Sequence, residues 1–222
     1  MIGKLNRVDK DVASGQTTQD LPAHKLPNKI QPLHYADLLG KGAWLRLHPA
    51  IRRRFSQDQN ATYYGNMKKV YLSSIGKILA QLCRLLGTPL ALYSANNVPT
   101  VVNVFHNPKL GGYTWERLYK FPNKVNRVTS TKCLTNDPGL IEVLGRGVGM
   151  TLKTTEDKGR IYFSSVGFFW RILNRHIPLP HVFSAVVCQT ALDDKHFTFE
   201  LNITHPIFGV IAYQYGEFSE QE

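Results

Sequence analysis

The hydrophobic period of the chain changes at Pro89, and this change constrains the fold more than any other feature of the sequence. Before it, apolar residues at 74–86 recur at intervals of three and four, which predicts one face of an α-helix that stops at 87–89. After it, apolar and polar residues alternate, most cleanly at 197–204, which predicts half-buried β-strands. Because the links between these segments are short, neighbouring strands are expected to be antiparallel. The sequence therefore predicts an α+β fold, mostly β: N-terminal helices followed by a large curved, mainly antiparallel sheet or partial barrel.

The same patterns predict the domain organisation. Residues 1–30 are polar and lack periodic apolar positions, so they are expected to form a flexible polar tail. Residues 31–222 are expected to form a single α+β domain with two or three helices and about seven to nine strands. Pro49 begins one of these helices, in which Ile51 and Phe55 face inward while the arginines at 52–54 mostly face water.

Positive charge is concentrated in one part of the chain. The formal net charge is +11, and residues 41–132 contribute fifteen basic side chains against two acidic ones. Such a block attracts an anionic membrane surface, an acidic partner or nucleic acid, unless its side chains are simply solvated. The three cysteines form no CxxC pair, and the N-terminus lacks the apolar core of a secretory signal. We therefore expect a cytoplasmic protein, with a peripheral position at the inner membrane face as the alternative.

The motifs of common enzyme and cofactor sites are missing from the sequence. The glycines at 145–149 are followed by strand-like sequence rather than by the helix that a dinucleotide loop needs, so a tight bend is the better interpretation. There is no HExxH pair and no GxSxG elbow. The sequence predicts no catalytic residue, no metal ligand and no cofactor, although an enzyme is not excluded. The preferred interpretation is a non-catalytic binding module.

One alternating segment supplies the candidate ligand site. Tyr113, Trp115 and Arg117 lie on one strand face with Tyr119 and Phe121, and an unpaired arginine there would be costly in an apolar core. Either a carboxylate such as Glu142 pairs with Arg117, or Arg117 faces a cavity that takes an anionic, lipid-like ligand. Arg127 is a second candidate for holding the anionic group. The predicted ligand-binding residues are Tyr113, Trp115, Arg117, Arg127 and Glu142.

A cluster of aromatic residues suggests a membrane contact. Phe168, Phe169 and Trp170 follow one another and precede Arg171, a composition typical of a loop that inserts at a lipid headgroup boundary. The alternative is a buried strand or short helix at the end of the sheet. The expected target is an anionic membrane surface.

Nine short motifs occur in an order and spacing that resemble one family. They are YADLLG at 35–40, LHPAI at 47–51, LLGTP at 85–89, WER at 115–117, GLIE at 139–142, GVGM at 147–150, PLP at 178–180, FTFEL at 197–201 and HPIFG at 205–209. In this succession the chain resembles the bacterial domain-of-unknown-function family 4166. The resemblance implies no established activity. It does imply a neighbouring domain or partner, because such domains often adjoin NAD(P)-binding Rossmann-type domains. An accessory or substrate domain for an NAD(P)-dependent oxidoreductase partner is therefore one alternative function. Non-specific nucleic-acid binding through 41–132 is the other, less favoured because no RNA-binding motif occurs.

Overall fold

The computed structural model describes residues 30–56, 60–85, 87, 90–137, 139–172 and 175–220. Almost all of the predicted tail, residues 1–29, lies outside the described residues. Ile30, which the tail prediction included, belongs instead to a short strand that pairs with the body of the domain.

The described residues form four helices, where the sequence predicted two or three. They are α1 (Tyr35–Leu39), α2 (Lys41–Arg46), α3 (Pro49–Arg54) and α4 (Ser74–Arg84). Pro49 occupies the first turn of α3, where its missing N–H costs nothing, and the His48 side chain accepts a hydrogen bond from the Ala50 N–H at 3.3 Å. Ser73 caps α4, since its hydroxyl accepts from the Gly76 N–H at 3.0 Å. The predicted helix at 74–86 is therefore confirmed over most of its length.

The rest of the domain is β-structure. The strands are β1 (Ile30–Gln31), β2 (Ala61–Leu72), β3 (Ala95–Asn107), β4 (Gly112–Phe121), β5 (Lys124–Thr135), β6 (Leu140–Gly145), β7 (Val148–Asp157), β8 (Arg160–Ile172), β9 (Arg175–Leu179), β10 (Ser184–Ala191), β11 (His196–His205) and β12 (Gly209–Glu220). All the pairings among them are antiparallel.

Ten of these strands close into a barrel. The order is β5-β4-β3-β2-β12-β11-β10-β8-β7-β6, and β6 pairs back with β5, for instance Cys133 with Ile141. β1 and β9 lie outside the ring and pair with β5 and β8. The prediction of a mostly β, antiparallel fold is confirmed, and the curved sheet or partial barrel is corrected to a closed barrel. Closure removes the exposed edges that an open sheet would present.

The strand β2 was not predicted, for a physical reason. Its buried residues change phase, because Tyr63 and Met67 are buried and so are Val70 and Leu72, three and five residues beyond Met67. The partner strand β12 changes register at the same level, between Tyr215 and Glu217. This irregularity breaks the period-two pattern that identifies a strand from sequence.

The two ends of the barrel differ. At the end formed by the β3–β4, β7–β8 and β10–β11 turns, α1–α3 pack over the opening: the His48 N–H donates to the Gly159 carbonyl at 3.2 Å, and Arg46 pairs with Glu156 at 2.7 Å. We call this the closed end. The opposite end, called the open end, is formed by the β4–β5, β6–β7 and β11–β12 turns, with α4 and the β8–β9 hairpin. No helix among the described residues is long and apolar enough to cross a membrane.

Candidate ligand-binding cavity

The barrel contains a cavity of about 480 Å³ beneath α4. A barrel of about eight strands is just wide enough for side chains or one small ligand to fill, so ten strands leave more interior space. The volume lies within the range of about 300–1,000 Å³ that small-molecule sites occupy. Most of the wall is apolar, with Leu79 and Cys83 from α4, Phe168 from β8 and Ile203 from β11 among its members.

The cavity opens to solvent at the open end. Pro180 and Val182, in the link between β9 and β10, line the cavity and are exposed, while Leu79 on α4 lines the facing side. Helix α4 lies directly on the barrel here, since a Cβ added to Gly76 would overlap the carbonyl of Ile211 on β12. The mouth therefore lies between α4 and the 180–183 segment, and its rim is apolar.

Arg117 lies at the deeper part of the cavity. It borders both the large cavity and a further space of about 10 Å³, which has room for about one water molecule, so Arg117 marks the level at which the interior becomes filled. Its Nη1 donates to the Ser130 hydroxyl at 3.4 Å, and its guanidinium lies 5.4 Å from the Phe199 ring centroid. Within the described part of the chain, no carboxylate lies within ion-pairing distance of it. The half-buried guanidinium thus makes no direct ion pair, although its charge acts on the nearby Glu142 carboxylate.

A buried ion pair lies beside it. Lys132 Nζ donates to Glu142 Oε1 at 3.0 Å, and both side chains are almost fully buried. Burial lowers the pKa of Lys132. Burial alone would raise the pKa of Glu142, but the charges of Lys132 and Arg117 and hydrogen bonds from Ser130 and Lys132 hold that pKa below its usual range. Glu142 is therefore a carboxylate at neutral pH, and its ion-pair partner is Lys132.

Two further polar residues, Tyr119 on β4 and Gln214 on β12, also line the cavity. The Tyr119 hydroxyl donates to Gln214 Oε1 at 2.7 Å, and burial raises the pKa of Tyr119 to about 12. This phenol is therefore a neutral hydrogen-bonding group over the physiological pH range. The charged groups described at the cavity are Arg117 and the Lys132–Glu142 pair, which together leave a net positive charge there.

A third cation, Arg54 of α3, lies in the barrel interior towards the closed end. Its guanidinium stacks on the rings of Tyr63 and Phe197, and its three nitrogens have no hydrogen-bond partner among the described residues. Burial lowers the pKa of Arg54 to about 9, which leaves it charged at neutral pH. The expectation that 52–54 mostly face water is thus wrong for Arg54. Among the described residues, the interior holds the cations Arg54, Arg117 and Lys132 against the one carboxylate of Glu142.

The predicted ligand residues separate into three locations. Arg117 and Glu142 line the cavity, whereas Tyr113 and Trp115 border a small space under α3, where Trp115 stacks on Phe55. Arg127 requires a correction, since it lies on the outer face of the barrel and pairs with Glu116 at 3.2 Å. The reason is register: Arg127 is paired with Leu118, so it points away from the face of Arg117. Arg127 therefore cannot hold a ligand in the cavity.

The predicted membrane segment is not an insertion loop but the end of strand β8. Phe168 faces the cavity, and Phe169 is buried and stacks on His176 of β9 with 4.3 Å between ring centroids. Trp170, 44% exposed, donates its indole N–H to the Arg146 carbonyl at 3.2 Å, and Arg171 is exposed. Pairing with β7 and β9 on either side holds the segment in the sheet. Only Trp170 and Arg171 are available to an outside partner.

Two of the interior cations, Lys132 and Arg54, were not singled out from the sequence. A signal for Lys132 exists, because Val128, Ser130 and Lys132 alternate on the inward face of β5. Its partner Glu142 belongs to a different strand, so the pair becomes evident only once β5 and β6 are known to be neighbours. Arg54 follows Ile51 at a spacing of three, which places both on one face of α3.

Comparison with known proteins yields a family but no characterised relative. No curated protein matches the chain. The model of the family described as "Domain of unknown function (DUF4166)" matches residues 47–218, which include β2–β11, α4 and every residue placed at the cavity. The resemblance carried by the ordered motifs is confirmed: the chain belongs to the domain-of-unknown-function family DUF4166.

Proposed function

We propose that the barrel is a non-catalytic binding module that holds an apolar ligand with one anionic group. The observation that carries the proposal is the apolar cavity of about 480 Å³ with Arg117 at its deeper part. A ligand of this class matches the wall, because its apolar body replaces water against apolar side chains and its anion pairs with a guanidinium.

The charge inside the barrel supports the sign of the ligand. Lys132 is compensated by Glu142, whereas Arg117 has no carboxylate partner among the described residues. Keeping a cation away from water is costly unless it is paired, and Arg54 adds further positive potential below it. A carboxylate, sulfate or phosphate group in the cavity would supply the missing negative charge.

The geometry also suggests an orientation. The mouth between α4 and the 180–183 segment is apolar, and the polar residues Arg117, Ser130 and Glu142 lie on the deeper side. A ligand that enters with its anionic group first satisfies both parts of the cavity, leaving its apolar chain towards α4. We infer that the ligand class is a single-chain amphiphile such as a fatty acid.

A fluorescence displacement assay tests this proposal. The delipidated protein is loaded with anilinonaphthalene sulfonate, which is itself apolar and anionic, and the probe is displaced with dodecanoate or with dodecanol. We expect dodecanoate to bind the parent more tightly than dodecanol does. Arg117→Met should remove this preference by weakening dodecanoate binding about tenfold to a hundredfold, which corresponds to the free energy of one charged hydrogen bond. Dodecanol, which has no charge, should displace the probe equally well from the parent and from Arg117→Met.

Arg127→Met is the matched control, since it removes the same side chain from the outer face of the same sheet. It should leave both affinities within about twofold, because it changes no group in the cavity. Failure of the unaltered protein to bind either compound, or an Arg117→Met variant that still prefers dodecanoate, would contradict the proposal.

A further inference from the structure

We propose that the open end of the barrel docks on an anionic lipid bilayer. The residues involved lie on the outer surface and not in the cavity, so membrane docking extends the proposed function without depending on it. The expected occupant is a membrane whose surface carries phosphate or carboxylate headgroups.

The first observation is a concentration of exposed apolar side chains at the open end. Ile78, Leu82 and Leu85 form a stripe at helical spacing on the outer face of α4, with exposed fractions of 62%, 58% and 68%. Ile207 and Phe208, in the β11–β12 turn, are 80% and 53% exposed. An exposed apolar patch of this kind marks an interaction site, because single scattered residues would be the expectation for an ordinary surface.

These elements form one continuous surface. Helix α4 begins against Ile211, directly after the β11–β12 turn, and the chain beyond it reaches Gly145 in the β6–β7 turn. On the other side, Phe183 and Phe208 each contact the ring of His205, with centroid distances of 5.5 and 4.7 Å, which joins the β11–β12 turn to the rim of the cavity. The apolar stripe, the turn and the cavity mouth therefore share one face of the molecule.

The second observation is the sign of the charge on that face. Lys77 and Arg84 flank the apolar stripe on α4, and Lys124, Arg146 and Arg171 stand exposed in the surrounding strand ends and turns. The described stretches that build the open end contain no Asp or Glu: 67–85, 87, 90–98, 119–128, 143–152, 166–172, 175–187 and 201–213. The acidic residues of the turns lie at the closed end instead, for example Asp157 and Asp193.

This combination selects a bilayer over a second copy of the chain. In a twofold dimer built on this face, two basic surfaces with no carboxylates in their described parts would oppose each other, which is unfavourable. An anionic bilayer complements both features at once. Lysine and arginine meet the headgroups while the leucine, isoleucine and phenylalanine side chains enter the acyl boundary. Trp170 and Arg171, the two exposed residues of the predicted membrane segment, lie at the edge of the same face.

Vesicle flotation tests the proposal, with vesicles of phosphatidylglycerol and phosphatidylcholine compared with phosphatidylcholine alone. The full chain is expected to float with the anionic vesicles and not with the neutral ones. Replacing Ile78, Leu82 and Leu85 by Gln, a good helix former, should weaken binding at least about a hundredfold, because three apolar side chains no longer enter the acyl boundary. The matched control replaces three exposed apolar residues of the closed end by Gln, namely Leu45, Phe105 and Leu192, and should bind as the parent does.

A second pair of variants isolates the charge. Lys77→Gln with Arg84→Gln should weaken binding about thirtyfold, at about 1 kcal/mol for each basic residue near the surface. Lys41→Gln with Lys109→Gln, on exposed residues of the closed end, should have no effect.

All the variants lie on exposed side chains, so circular dichroism and melting are expected to match those of the parent. No flotation of the parent with anionic vesicles would overturn the proposal, as would an apolar-stripe variant that floats as well as the parent. A parent dimer that this variant dissociates would also overturn it, because the face would then be occupied by a second copy. Dodecanoate binding inside the barrel is measured without membranes. A failure of vesicle binding can therefore be distinguished from a failure of dodecanoate binding.

Discussion

Two cations on neighbouring strands of the barrel, the buried Lys132 and the half-buried Arg117, should respond in opposite ways to the same substitution. Lys132 forms a 3.0 Å ion pair with Glu142 in a fully buried setting. Lys132→Met leaves the Glu142 carboxylate buried and uncompensated, which costs about 3–5 kcal/mol. Arg117 has only a long hydrogen bond of 3.4 Å to Ser130. Arg117→Met should therefore change the free energy of unfolding by no more than about 1 kcal/mol, or raise it, since an unpaired cation is removed from a partly apolar wall.

The assay is urea unfolding of the delipidated proteins at neutral pH, with the slope m compared to confirm that the unfolded states are alike. The double variant Lys132→Met with Glu142→Leu should recover most of the loss, because an apolar pair of similar size replaces a buried ion pair at little cost. A decrease of about 3 kcal/mol or more in the unfolding free energy of Arg117→Met would make Arg117 a structural residue and contradict the prediction. A decrease of less than about 1 kcal/mol for Lys132→Met would contradict it as well.

Three further predictions concern the pH dependence of stability, the volume of the cavity and the packing of α4 on β12. The pKa of Glu142 is lower in the folded protein than in the unfolded chain. The stability that Glu142 contributes is therefore complete above the unfolded pKa of about 4.3 and is lost as the pH falls through the folded pKa. In urea unfolding, the difference in unfolding free energy between the parent and Lys132→Met should narrow below about pH 4. Ala185→Phe projects into the cavity and should weaken dodecanoate at least about tenfold with a stability loss below about 1 kcal/mol. Ala212→Phe, at a buried position that is not part of the cavity lining, should instead lose about 1–3 kcal/mol by overpacking. Gly76→Ala would overlap the backbone of β12 and should lower the melting temperature by several degrees, and an unchanged melting curve would show that α4 is not held where the structure places it.

The parts of the fold that depend on local pattern could be predicted from sequence. Helix α4 has an uninterrupted apolar period and a serine cap, and β11 alternates without a break, so both were identified. The strand β2 was missed because its burial changes phase near Met67. Closure was missed because it depends on β5 pairing with both β4 and β6, a relation between segments that no local pattern contains.

For the candidate site, the face of a strand on which a residue lies could be predicted from the sequence, whereas contacts between strands could not. Alternation along β4 correctly placed Arg117 on the inward face, with Trp115 and Tyr119. Arg127 was misassigned because the face of one strand is known relative to another only through register. Which residue pairs with Glu142 could not be decided either, since Arg117 and Lys132 are both near it and only the 3.0 Å contact distinguishes them.

The most direct test of the binding proposal is a crystal structure of the protein with dodecanoate. We expect the carboxylate within hydrogen-bond distance of the Arg117 guanidinium, at about 3 Å, with the chain running towards Leu79 and the mouth beneath α4. A carboxylate at the rim near Pro180, with the chain pointing inward, would contradict the assignment of Arg117. An interior filled by rearranged side chains, with no room for the chain, would contradict the binding function itself.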